Sequence, residues 1–294
     1  MIITVASGKG GTGKTTIATN LALASCAKNK VQFVDCDVEE PNAHIFLKPQ
    51  IEHTEAVVIP VPEVNLEQCS YCGKCAEICA FNALAVFKEQ LLVFPELCHG
   101  CGGCSYFCPQ KAITESPREI GAIEEGLAQE IPFKHGRLNP GEAMSPPLIK
   151  ALKQKGSSAE NLILDAPPGT SCPAVTTVKG SDFCLLVTEP TPFGLHDLEL
   201  AVGMVKKLAL PCAVLVNRAD IGTKCIDEYC AQNDIPVLMH IPWDKKLAQL
   251  YAQGEAAVLH DQYWDKLFAQ LWGEIKKAVS VAKNNKLEKE VERR

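Results

Sequence analysis

The chain has 294 residues, enough for one large domain with a full core or for a large domain plus a small one. Hydrophobic residues make up 47% and charged residues 22%, the balance of a globular chain rather than a disordered one, and the formal net charge of -6 gives no global attraction to nucleic acid or anionic lipid. There are 15 cysteines, no basic and apolar leader at the start, and no apolar run near the roughly 20 residues that cross a bilayer, so the expectation is a cytoplasmic protein with no membrane anchor whose thiols hold metal.

The chain opens as strand, loop, helix, strand. Ile2 to Ala6 is apolar and partly β-branched, Gly8 to Thr15 is glycine-rich, and Thr16 to Lys28 carries Ile17, Leu21 and Ala24 at helical spacing. Val31 to Val34 reads as a second strand, ending at Asp35-Cys36-Asp37. The loop fits G-x-x-x-x-G-K-[ST]: backbone N–H groups of Gly10, Gly11, Thr12 and Gly13 can close on phosphate, with Thr16 opening the helix behind them. In such a loop Lys14 reaches the β- and γ-phosphates and the Thr15 hydroxyl ligates Mg²⁺.

The texture changes at Ile59-Pro60-Val61-Pro62, and eight cysteines fall before Ser116-Pro117. Proline at both seams predicts an inserted module over residues 60–115, with residues 1–59 and 116–294 forming a discontinuous main domain. Cys69-x2-Cys72-x2-Cys75-x3-Cys79 recurs 29 residues later as Cys98-x2-Cys101-x2-Cys104-x3-Cys108. This is the two-cluster bacterial ferredoxin spacing, in which the fourth cysteine of each run serves the other [4Fe-4S] cluster. The expected sets are Cys69, Cys72, Cys75 and Cys108 for one cluster, and Cys98, Cys101, Cys104 and Cys79 for the other. Ala80 stands where the usual pattern has proline. Zinc also takes four cysteines, but usually through paired C-x₂-C hooks.

An α/β texture then returns. Leu162 to Leu164, Phe183 to Thr188, Ala213 to Val216 and Val237 to Ile241 read as strands, with a helix over about His196 to Leu208 and another from about Asp261. Alternation of this kind predicts a mostly parallel sheet flanked by helices. Asp165 follows an apolar strand, as a Mg²⁺-nucleotide carboxylate does. Val216-Asn217-Arg218-Ala219-Asp220 ends another strand.

Three strings carry a resemblance. Gly8-Lys9-Gly10-Gly11-Thr12-Gly13-Lys14-Thr15-Thr16, with its extra Lys9, resembles the deviant Walker A loop of the MinD/ParA/Mrp/nitrogenase-iron-protein superfamily of P-loop ATPases. Asp35-Cys36-Asp37 and Asp165-Ala166-Pro167-Pro168-Gly169-Thr170 resemble its two switches, and Asp37-Val38-Glu39-Glu40-Pro41-Asn42 and Glu189 to Leu195 extend the match. The resemblance implies a homodimer in the ATP state, with Lys9 crossing to the partner's phosphates. It implies that Asp37 orients the attacking water, that Asp165 holds Mg²⁺ through water, that the Gly169 N–H senses the γ-phosphate and that Asn217 contacts adenine. The Asn217–Asp220 string is also similar to the N-K-x-D of guanine binders, with Arg218 for lysine; ATP is favoured because the other motifs are those of ATP users.

The whole chain thus resembles a P-loop ATPase with an inserted ferredoxin domain. The function this implies is nucleotide-driven dimer switching coupled to electron transfer, with a redox protein as partner. An Mrp-type cluster-transfer ATPase serving an apo-protein is the alternative, and a MinD/ParA-type positioning ATPase the third. Cys172, seven residues after Asp165, matches the offset of a cluster ligand in the nitrogenase iron protein, but no second cysteine accompanies it. Cys225-x4-Cys230 lacks the carrier spacing and reads as structural. The tail from Lys276 has Leu287 and Val291 as almost its only apolar residues, too few for a membrane-binding face.

Overall fold

The computed structural model describes residues 1–26, 29–154 and 159–292, and the side chains of these up to residue 284. The expected end of the first helix at residues 27–28, and the tail side chains Leu287 and Val291, lie outside the described set.

Strand and helix alternate along most of the chain: β1 (Ile2–Ala6), α1 (Lys14–Cys26), β2 (Val31–Asp35), α2 (Ala43–Leu47), β3 (Gln50–Val64), then the cysteine segment, then β6 (Ile113–Ala128), β7 (Ile131–Leu138), α5 (Pro146–Gln154), β8 (Asn161–Asp165), α6 (Cys172–Val178), β9 (Phe183–Thr188), α7 (Pro192–Lys207), β10 (Cys212–Asn217), α8 (Cys225–Gln232), β11 (Val237–Ile241), α9 (Lys245–Ala252) and α10 (Gln262–Glu292). The cysteine segment holds α3 (Lys74–Ile78), the hairpin β4 (Leu84–Phe87) and β5 (Gln90–Val93), and α4 (Gly103–Tyr106). Among the described residues the main sheet runs β11-β10-β9-β1-β8-β2-β7-β6-β3. It is parallel from β11 to β7 and antiparallel at the β7-β6-β3 edge.

The central strands are buried on both faces, and alternate residues serve different cores. In β9, Phe183, Leu185 and Val187 join the core under α1 and α10, while Cys184 and Leu186 join the one under α6, α7 and α8. Phe33 and Phe133 stack across β2 and β7 with centroids 6.1 Å apart, both closed to solvent. Replacing either by alanine would cost roughly 3–5 kcal/mol, the range for an emptied aromatic site. A third core links β2 and β8 to α5, to β3 and β6, and to Cys75 and Cys98.

The seams expected at residues 60 and 116 fall inside β3 and β6, which pair from Gln50↔Leu127 to Val64↔Ile113. The prolines do not break the ladder because Pro60 faces Pro117. Two residues with no N–H can only face each other at a non-hydrogen-bonded position, and Pro62, two residues on, falls on the next such position. β7 stops at Leu138, opposite Gly121. The β3–β6 ribbon continues past it for seven or eight residues, an overhang of roughly 25 Å at 3.3 Å per residue. It projects from the edge where β1, β2 and β8 end, which is also where the glycine loop lies. The cysteine segment sits at its tip.

Candidate functional site

The loop between β1 and α1 is held open by its backbone geometry. Gly13 has φ +88°, and a β-carbon there would lie 2.4 Å from Asn217 Nδ2. Asn217, at the end of β10, donates that amide to the Thr12 carbonyl at 2.8 Å and so clamps the loop from below. Lys14 is buried with its Nζ 2.6 Å from Asp165 Oδ1. The Thr15 hydroxyl donates to Asp165 Oδ2, also at 2.6 Å. Lys14, Thr15 and Asp165 therefore meet at the end of β8, although 150 residues separate the last two. Lys14 and Thr15 border a cleft of about 450 Å³ that also takes in the rest of Lys9 to Thr16, Asp37, Asn42 and Pro168, with Asp165 buried behind them.

A second acid belongs here. Asp35 ends β2 directly opposite Asp165, and both are fully buried. Asp35 accepts the backbone N–H of Asp37, Asn42 and Ala43, which fixes the turn that carries Asp37 into the cleft. Burial, with the charge of Asp165 added, pushes the Asp35 carboxyl up to about 7. Burial likewise pushes Asp37 up to about 6. Burial works against the charge on Lys14, but the adjoining Asp165 outweighs it and its pKa is raised. Carboxylates and a hydroxyl beside an ammonium group form a hard-oxygen donor set suited to Mg²⁺ beside phosphate. Asp35 stands in the first switch string, but the motif gives a role only to Asp37, because the part Asp35 plays arises from strand register with a residue far along the chain.

Gly169 is placed differently from its expected part. Its N–H donates to the Ser7 carbonyl at 2.9 Å, and it is Pro168 that borders the cleft. Lys9 borders the cleft and is half-buried. At the far end the wall is made by Asn217, Arg218, Pro242, Trp243, Leu247 and Tyr251. Arg218 pairs with Glu189 at 2.7 Å. Asp220 accepts the Trp243 backbone N–H at 2.5 Å, a structural bond that ties down the wall.

The cysteine segment is built twice. Left-handed backbone recurs at the same 29-residue offset: Tyr71 and Gly100 (φ 52° and 64°), Gly73 and Gly102 (78° and 70°), Asn82 and Lys111 (55° and 49°). Hydrogen bonds to sulfur repeat in step. Tyr71 N–H donates to Cys69 Sγ as Gly100 N–H does to Cys98 Sγ, both at 3.4 Å. Ala83 N–H donates to Cys79 Sγ as Ala112 N–H does to Cys108 Sγ, both at 3.3 Å. Cys69, Cys72, Cys75 and Cys108 border one cavity, and Cys79, Cys98, Cys101 and Cys104 border another. The fourth cysteine of each run is thus exchanged between the halves.

Each thiol set lines its own cavity, and among the described residues no three or more His, Cys, Asp or Glu side chains form a group that could hold a single metal ion. Of the other cysteines, Cys36, Cys184 and Cys230 are buried, and burial raises each thiol pKa. Cys172 is exposed at the start of α6. No helix among the described residues is long and apolar enough to cross a membrane.

Comparison with known proteins places this geometry. The CobQ/CobB/MinD/ParA nucleotide binding domain matches residues 3–258. An uncharacterised protein of Methanocaldococcus jannaschii is 32% identical over 258 residues, covering 86% of this chain and 89% of its own. An iron-sulfur cluster carrier protein of Pyrococcus horikoshii is 26% identical, covering 83% of this chain and 74% of its own. Among solved structures, the septum site-determining protein MinD of Pyrococcus horikoshii with Mg-ADP is similar in fold, with a TM-score of 0.56 at 23% identity over 96% of this chain and 98% of that one.

Proposed function

The chain belongs to the CobQ/CobB/MinD/ParA nucleotide-binding family of P-loop ATPases, and from that membership we propose that it couples ATP-driven dimer switching to electron transfer through two [4Fe-4S] clusters held in an inserted ferredoxin-like segment. The observation that carries this reading is the sorting of eight cysteines into two fours around two cavities, in the crossed pattern of the two-cluster spacing. Paired backbone N–H bonds to sulfur support it, because such donors stabilise thiolate and set cluster potential. When bound, the clusters would supply one-electron chemistry.

The nucleotide half works through this chain's own groups. The loop N–H groups and Lys14 hold the phosphates, and Lys14 exchanges its bond to Asp165 for one to the γ-phosphate. Thr15, and Asp165 through water, would hold Mg²⁺, with Asp35 behind them. Asp37, carried into the cleft by the turn on Asp35, orients the attacking water. Gly169 senses the γ-phosphate by releasing the Ser7 carbonyl. Lys9 reaches a second copy across the nucleotide. Asn217 sets the loop height and lies beside the base wall, which takes adenine.

Similarity to an iron-sulfur cluster carrier favours a second reading, in which a cluster is cargo. Eight thiols supplied by one chain, four of them braced by backbone donors, favour retention. Anaerobic purification should yield about eight irons and matching sulfide per chain. Its EPR spectrum should change on adding Mg-ATP without loss of iron. Zinc in place of iron would end the cluster reading, and ATP-dependent iron loss to an apo-protein would establish the carrier reading.

A further inference from the structure

One short helix joins both acidic strand ends to the second cysteine set. Ser145, just before α5, donates its hydroxyl to Glu39 Oε1 at 2.8 Å, which ties the helix start to the segment after Asp37. In that segment the Val38 carbonyl accepts the Leu138 N–H at 2.9 Å. The Val38 side chain lies on the bare backbone of Gly136, where a β-carbon would be 2.6 Å from Val38 Cγ1 and 3.4 Å from Leu148 of α5. At the other end, the Lys153 ammonium donates to the carbonyls of Thr176, Thr177 and Lys179 at 3.0, 2.5 and 2.6 Å. These close the last turn of α6, the helix that follows Asp165–Thr170.

The middle of α5 faces the ribbon. Leu148, Ile149 and Leu152 share one buried core with Val38, Ile59 and Cys98. A β-carbon on Gly100 would lie 3.1 Å from Pro60 Cδ and 3.4 Å from Ile59 Cβ, so the Cys98–Cys101 turn rests on the same strand. The His99 ring stacks on Phe81 at 3.3 Å, and both line the second cavity. Close-packed groups of this kind shift together rather than deform.

We propose that α5 is a strut that carries nucleotide state to the cluster bound by Cys79, Cys98, Cys101 and Cys104, with Ser145 and Lys153 as its positioning residues. This rests on the cluster reading above. Nucleotide that moves residues 37–42 pulls on Ser145, and movement of residues 165–170 pulls on Lys153. Both loads reach the Cys98–Cys101 turn through Ile59 and Pro60. The other set's Cys75 belongs to the same core, with Val86 and Leu91 packed against it, but a β-carbon on Gly73 would meet nothing within 4 Å, so its turn lacks the direct seat on the ribbon that Gly100 has and feels less of the motion.

The test uses the anaerobic holoprotein, with an EPR-monitored redox titration and hydrogen exchange, each with and without a non-hydrolysable Mg-ATP analogue. In the unmodified protein one cluster's midpoint and amide exchange at residues 98–101 should both respond to nucleotide. In Ser145→Ala and Lys153→Met the nucleotide-induced midpoint shift should fall at least fivefold, while iron content is unchanged and analogue affinity changes less than twofold. Ser145→Thr and Lys153→Arg should restore it. A full shift in both loss variants, or a response at residues 69–75 with none at 98–101, overturns the strut and leaves the cluster reading intact. No nucleotide response in the unmodified protein overturns the coupling itself, and the strut with it.

Discussion

Asp35 and Asp165 end neighbouring parallel strands in direct register, both fully buried, and Lys14 is hydrogen-bonded to Asp165. The consequence is a proton. Asp35 is pushed up to about 7 and Asp37 to about 6, against roughly 3.9 for an ordinary aspartate. Between about pH 4 and 7 the nucleotide-free fold holds protons that an unfolded chain has released. Stability contributed by these groups is therefore present at low pH and falls as pH rises through that window, the reverse of the salt-bridged carboxylate. Mg²⁺ favours the charged forms, so binding of the Mg-nucleotide at pH 6.5 should release about one proton beyond those of the nucleotide itself. Calorimetry in buffers of different ionisation enthalpy measures this. Asp35→Asn should reduce the release, and an unchanged count in that variant would show that Asp35 is not the group that titrates.

How this pair went unread shows what sequence carries. The phosphate loop is legible because its residues are adjacent and their spacing is the mechanism. Asp165 is legible as an acid at a strand end. Asp35 needs the β2–β8 register, which nothing local encodes. The β3–β6 ribbon was hidden for a related reason. Pro60 and Pro117 look like seams, and only their facing positions make them compatible with a ladder. The cysteine repeat was the most legible feature, since each spacing recurs at one offset. The bridging role of α5 was not, because Ser145 and Lys153 act on carbonyls and carboxylates brought to them by folding.

Lys14→Ala is expected to do more than abolish nucleotide binding. It leaves two buried aspartates adjacent with their nearest cation gone. Removing one partner of a buried pair costs roughly 3–5 kcal/mol. Adding Asp165→Asn should recover more than half of that loss, because it removes the orphaned charge. Urea denaturation of the two single variants and the double variant, without nucleotide, gives the coupling. Additive losses would mean that the pair is not a stability unit. Iron content should stay constant throughout, since Lys14 touches no part of the cysteine segment's cavities.

The exchange of fourth cysteines makes a prediction that run-by-run ligation does not. Cys108→Ser should damage the cluster of Cys69, Cys72 and Cys75 while sparing the one nearest to it in sequence. Combined with Cys72→Ser it should remove little more iron than either alone, about four per chain. Combined with Cys101→Ser it should remove nearly all eight. Iron analysis with EPR of the residual cluster distinguishes these outcomes. Near-total loss in the first pair would mean that each run holds its own cluster.

Base choice follows from Asp220. The string Asn217–Asp220 looks like guanine-binding N-K-x-D, in which the aspartate reads the base edge. Here that carboxylate already accepts the Trp243 N–H, and Arg218 is turned to Glu189. Asp220 is not among the residues that border the cleft, so a guanine base there would not meet its carboxylate, and the surrounding wall is largely apolar and aromatic. Leaving a guanine's polar edge without partners costs about 1–3 kcal/mol, or roughly 5- to 150-fold in affinity. ATP should therefore bind at least about fivefold more tightly than GTP in direct competition. Asp220→Asn should leave that ratio unchanged while lowering stability, because it weakens an acceptor that holds Trp243. If the ATP-to-GTP ratio shifts severalfold in Asp220→Asn with no loss of stability, Asp220 reads the base directly and the assignment of adenine to this wall fails.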